Sequence, residues 1–222
     1  MPGLLRRWVV AFAVGELVGF GLLPAMLGAL AFELTGGMNA TPRALLLYLV
    51  AIVTGFGEGA VLALFQLRVL RGVFPDLDAR GFVVATGTAA SVAWAAGMLV
   101  PTLDDVVGLS TPIQIGLWVA AAVVILPSIG IAQAWALRGV VERPGRWIVG
   151  NVLGWLLGLP WTFVLPALVP DGAPIGAFVA AMIVGGAVMG ATAGAVTGVF
   201  LGRLVPTRGA RAPRAARAHA GT

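Results

Sequence analysis

The chain has no cysteine, no lysine and a single histidine, His219. The first absence excludes disulfides and thiolate metal sites. The second excludes a Schiff-base chromophore and a lysine nucleophile. The third leaves no imidazole ahead of the C-terminal tail to act as a base, a metal ligand or a haem ligand. Charge is scarce as well. Only 10% of residues are charged and 59% are hydrophobic, against roughly 25% and 45–50% in soluble domains. A soluble domain of 222 residues cannot hide that much apolar surface. The sequence reads as an integral membrane protein. No H-E-x-x-H motif occurs, and Ser91 and Ser128 have no histidine or lysine to activate them. No enzyme and no cofactor are expected.

Crossing a bilayer as a helix takes about 20 apolar residues. Six windows qualify, near 8–30, 44–69, 82–99, 113–137, 147–169 and 175–201. Of the 14 basic residues, all arginine, only Arg43 falls in the connections at one end of the spans, beside Glu33, Asp104, Asp105 and Asp171. The rest, including Arg6, Arg71, Arg80, Arg143 and Arg203, fall at the other end. The positive-inside rule makes that end cytoplasmic and puts both termini inside, in a cytoplasmic membrane. A signal peptide is the competing reading of the first 32 residues. Glu16 would interrupt its apolar stretch, and the segment matches later spans. Residues 206–222 carry four arginines among Ala, Pro and Gly and read as a disordered cytoplasmic tail. With the basic loops the tail suits anionic lipid headgroups. It lacks the aromatic residues that would point to nucleic acid.

The spans repeat. Trp8, Phe82 and Trp147 each open an odd-numbered span, and small residues follow seven and eleven positions on: Gly15 and Gly19, Ala89 and Ala93, Gly154 and Gly158. In the even spans Gln66 precedes Arg71 by five residues, as Gln133 precedes Arg138, and each arginine leads into Gly-Val. Span six is looser, with Thr197 and Arg203 as counterparts. The unit is a helix, a basic loop and a returning helix. Spans two–three and four–five are two copies, and spans six and one are the halves of a third. The expected fold is an all-α bundle of six helices, three related hairpins about a pseudo-threefold axis along the membrane normal. Parallel repeats of this kind occur in transporters. "GIAQAWALR" followed by "RWIVGNVLGWLLG", residues 130–158, resembles a pattern in uncharacterised repeat-containing bacterial membrane proteins. That pattern is G-x-A-Q-x-x-x-L-R, a short basic loop, then W-x-x-x-x-x-x-G-W-x-x-G. The resemblance implies architecture and a bacterial inner membrane; it implies no activity.

Span six places Gly186, Gly190, Gly194, Gly198 and Gly202 four residues apart, and span five repeats the device with Gly150, Gly154 and Gly158. In lipid, helices associate through close backbone approach rather than hydrophobic exclusion. These faces therefore pack neighbouring helices of the same chain, or form a homo-oligomer seam, a face for another membrane protein, or a glycine-lined pore. On a one-sided groove, leucine at 194 would cost more than leucine at 193. Pro24, Pro127, Pro160 and Pro166 lie inside spans, and each frees a backbone carbonyl. Pro127 could open a cavity or only bend its helix to fit.

Two acids, Glu16 and Glu58, lie deep in the apolar spans. At about 1.5 Å per residue they stand ~13 Å from Arg7 and ~15 Å from Arg68 along their helices, at matching depth. Buried acids at such depth face the protein interior or water and often mark transport paths. If adjacent, they do not both ionise. Glu58 sits in Gly55-Phe-Gly57-Glu58-Gly59, where a bare backbone would admit water or a cation. The alternative is a hydrogen bond that only joins helices. Gln66, Arg71, Gln133 and Arg138 form either a polar cytoplasmic ring for anions, or arginines reaching the interface and glutamines bonding neighbouring helices. The functional expectation is permeation or transport of a small solute or ion. The other class is an accessory or scaffold subunit packed through its glycines.

Overall fold

The computed structural model describes residues 3–205. His219 and the basic tail at 206–222 lie outside the described residues. Among the described residues there is no strand, and six helices are long and apolar enough to cross a membrane. They run Leu4–Leu34, Ala40–Leu70, Ala79–Val107, Thr111–Ala136, Gly145–Ala167 and Ile175–Leu204. The chain is a multi-pass membrane protein by this measure.

The third span extends eight residues beyond the expected Leu99, through Pro101 and two aspartates. Proline inside a membrane helix is tolerated where neighbours re-satisfy the freed carbonyl. The true stop is Gly108, at φ 67°, with Leu109 N donating to Asp104 Oδ1 at 2.8 Å. Hydropathy ends before the helix does.

Two spans are not continuous α-helix. Span one is α1 (Leu4–Glu16), a π-helical stretch (Leu17–Leu22) and α2 (Leu23–Leu34). The wide turns lie directly ahead of Pro24, where the missing N–H already prevents one ordinary helix bond. Span five is α6 (Gly145–Gly158) and α7 (Trp161–Ala167), parted at Pro160. There Thr162 Oγ1 donates to Leu159 O at 2.8 Å, so the break costs less than an orphaned carbonyl would. Spans two, three, four and six are single helices: α3 (Ala40–Leu70), α4 (Ala79–Val107), α5 (Thr111–Ala136) and α8 (Ile175–Leu204).

Each span packs on the next in sequence, and α8 packs on α1, so the six helices close a ring. Two connections at the arginine end share one hydrogen-bond pattern. Val73 N and Phe74 N donate to Leu70 O, while Val140 N and Val141 N donate to Leu137 O. Leu70, Leu137 and Leu201, each four residues after Gln66, Gln133 and Thr197 respectively, are buried. Outside, the ring presents apolar side chains such as Val53, Val123 and Phe163, which suits lipid.

The glycines set the closeness of the ring. On Gly190 a methyl group would stand 2.7 Å from Phe12 O, and on Gly186 2.9 Å from Glu16 O. Gly194 and Gly198 meet Phe12 and Leu5 in the same way, so this face of α8 is filled by span one. Gly154 and Gly158 face α8 from the other side, against Ala193 O at 3.1 Å and Met189 O at 2.9 Å. Gly202 meets nothing within 4 Å. Ala193 is fully buried on this second contact. A leucine at 193 would therefore clash as a leucine at 194 does, which corrects the expected contrast: α8 packs on both sides.

Candidate functional site

Antiparallel packing of spans one and two brings Glu16 and Glu58 together. Gly15 lets Leu62 approach and Gly19 lies over Glu58, where a Cβ would be 3.0 Å from Glu58 O. The two carboxyls come within hydrogen-bonding reach of each other. Glu16 is fully buried and neither of its oxygens meets a protein donor. Glu58 is 5% exposed and accepts from Trp94 Nε1, on α4. Two carboxylate oxygens cannot bond one another without a proton between them. A pair of full charges here would also be opposed by desolvation and mutual repulsion. The arrangement therefore suits a single shared proton. The stretches of α4 and α8 that face the pair, residues 86–101 and 183–194, contain no other ionisable side chain.

Glu58 opens onto a cavity of about 490 Å³ in the half of the ring nearer the acidic end. Phe20, Trp94, Trp118, Trp155 and Phe163 supply its aromatic wall, with Ile125 and Ile129 flanking Pro127 on α5. Glu58 is the one ionisable residue on that wall; Glu16 lies behind it. Trp155 is 4% exposed, and its Nε1–H has no partner. Trp118 and Phe163 form the rim, 41% and 66% exposed, beside outward-facing Val119 and Val164.

The other half of the ring is packed shut. Trp8 and Trp147 meet edge-on at 5.6 Å, with Phe12, Phe82 and Leu62 around them. Gln133 Nε2 donates to Gln66 Oε1 at 2.8 Å and to Thr86 Oγ1 at 3.2 Å. Trp147 Nε1 donates to Gln133 Oε1 at 3.0 Å, and Trp8 Nε1 to Thr197 Oγ1 at 2.9 Å. Gln66, Thr86, Gln133 and Thr197 are fully buried. Such networks hold helices in register, each net bond contributing about 0.5–1.5 kcal/mol.

The glutamines and arginines of the expected polar ring are separated. Gln66 and Gln133 bond each other inside, while Arg71 and Arg138 are exposed at the helix ends. Arg68, Arg71 and Arg80 instead border a groove of about 410 Å³ between spans two and three. Among the described residues no three His, Asp or Glu are grouped to hold a metal ion. Sequence reasoning singled out both acids but missed Trp94, Trp118, Trp155 and Thr86. The spacing Gly55–Glu58–Gly59 was the available signal for Trp94. A Cβ on Gly55 would run into Trp94, and one on Gly59 into Ala90, so both mark where α4 presses on α3. Comparisons with protein-family models, with curated proteins and with solved structures return no match.

Proposed function

We propose that this chain is a transporter of a small solute or ion in a bacterial cytoplasmic membrane, with Glu16 and Glu58 on the path. The observation that carries the reading is a carboxyl pair, free of basic partners, at the floor of an open cavity inside a closed ring of spans. Ionisable groups are costly within a bilayer, and there they mark ion and proton paths more than architecture. Helix adhesion alone would be served by amides and hydroxyls, as Gln66, Gln133 and Thr197 serve the other half.

Read as a pseudo-threefold arrangement of three hairpins, the six spans support specialisation of this one place. Trp147 donates to Gln133 across one hairpin, and Trp8 to Thr197 across the pair of spans six and one. Phe82 and Gln66 occupy the same positions in the third unit. In that register Glu16 corresponds to Ala90 and Trp155, and Glu58 to Ile125 and Met189. On that reading, only one of three equivalent places carries acids. The N-in, C-in orientation follows from the arginine-rich end being cytoplasmic, so the cavity faces the outer half of the membrane. The Arg68–Arg71–Arg80 groove then lies at the inner leaflet, where it suits an anionic lipid headgroup. A scaffold subunit would need its glycine faces for a partner, and Gly154, Gly158, Gly190, Gly194 and Gly198 are already occupied by neighbouring spans.

The test is reconstitution. Proteoliposomes bearing the wild-type chain should pass protons under an imposed pH gradient, and Glu58→Gln and Glu16→Gln should reduce that flux at least tenfold while remaining folded. Absence of flux from well-folded wild-type protein, with or without an added membrane potential, would overturn the transport reading.

A further inference from the structure

We infer that the cavity is a binding site for a lipophilic monovalent organic cation, with Glu58 as its counter-charge. The inference deepens the transport reading and rests on it for the direction of movement, but binding can be measured alone. Three features of the wall point to this chemistry. Its volume, about 490 Å³, falls in the range of small-molecule sites, roughly 300–1,000 Å³. Its wall is apolar and rich in indole and phenyl rings, whose faces attract cations, most strongly when water is excluded. Its one ionisable wall residue is a carboxylic acid, with no arginine, lysine or histidine to receive an anion.

Glu16, behind the wall and paired with Glu58 on it, adds a coupling. With the site empty, a proton between Glu16 and Glu58 removes one of two like charges. An organic cation seated against Glu58 supplies positive charge in its place, so the proton is released as the ligand enters and is taken up as it leaves. No other group supplies a countercharge to the pair, because the facing residues 86–101 and 183–194 are non-ionisable. The route of entry is lateral. Within span five, α7 packs on α8, while α5 of span four packs on α4 and on α6. Between them Trp118 and Phe163 form a rim on the apolar girdle. A ligand dissolved in the outer leaflet meets the opening without crossing water.

Tetraphenylphosphonium and tetraphenylborate, nearly alike in size and opposite in charge, separate charge recognition from greasiness. Purified protein in detergent should bind the phosphonium saturably, with quenching of indole fluorescence and release of up to one proton per ligand in weak buffer. It should prefer the phosphonium over the borate at least tenfold. Glu58→Gln should lose both the preference and the proton release. Should that variant fail to fold, Trp118→Leu, at the partly exposed rim, should weaken phosphonium binding several-fold without altering the fold. Equal binding of the two ions, or no saturable binding of the phosphonium, would overturn the inference. Proton flux in liposomes without phosphonium binding would leave the transport reading standing and remove this one. Binding without any flux would do the reverse.

Discussion

Gln133 joins four helices through one side chain: its own, α3 through Gln66, α4 through Thr86 and α6 through Trp147. Removing one partner of such a bond leaves a buried group unsatisfied, at a cost of about 1–3 kcal/mol. Trp147→Phe should therefore destabilise the detergent-solubilised protein by about that amount in a thermal or denaturant melt. Trp135→Phe should change it little, because Trp135 is 60% exposed. Equal effects would show that the network is energetically idle. At this scale much was legible. The spacing of Gln66 and Gln133 ahead of an Arg-Gly-Val, and the recurrence of Trp8, Phe82 and Trp147, marked the residues of the network without showing that they meet. The depth of Glu16 and Glu58 could be counted from the arginines, but the face of the helix could not. Trp94, Trp118 and Trp155 were illegible as a wall, because three tryptophans on three spans share no spacing; only the packing of the ring brings them together.

Among the elements, α8 is packed closely on two sides. Its Gly186–Gly198 face touches span one, and the Met189–Ala193–Thr197 face touches span five. Gly190→Leu should clash with Phe12 O and the Glu16 side chain, and overpacking of this kind costs about 1–3 kcal/mol or more. Ala195→Leu, on an exposed position of the same helix, should be tolerated. Comparing monodispersity and melting of the two variants checks the placement, and similar losses would argue against it. The four-residue glycine period announced this close packing, but not that both sides of the helix are used. The π-helical stretch Leu17–Leu22 left no mark in the apolar pattern. It sits between Glu16 and Pro24, and Gly19 and Gly21 lie against Glu58 and Ile183 there. Of the prolines expected to interrupt spans, Pro24 and Pro160 adjoin the irregular backbone of spans one and five, whereas Pro127 lies within an unbroken α5 and Pro166 within α7. A proline's effect is decided by what its neighbours can donate.

For the whole molecule, composition and apolar length were enough to read six membrane helices, because lipid leaves the backbone few options. Ring closure through α1 and α8 required the repeat, and orientation rests on the arginines. Cysteines introduced singly at Asp105, Asp171 and Arg143 into this cysteine-free chain should test it, since all three are exposed. Asp105 is preferred to Asp104, whose carboxylate holds the end of α4. An impermeant thiol reagent should label the first two from outside intact cells and the third only after lysis; labelling of all three from outside would contradict the orientation. The central claim is that Glu58 stands at the floor of an open cavity on a transport path. The most direct measurement is mass spectrometry of proteoliposomes treated with a hydrophobic carbodiimide, which adds to accessible protonated carboxyls in apolar surroundings, with proton flux followed on the same sample. A single adduct at Glu58, with Glu16 unmodified behind it and flux falling in step with modification, is the predicted result. Full modification of Glu58 with undiminished flux, or modification of Glu16 while Glu58 stays untouched, would contradict it.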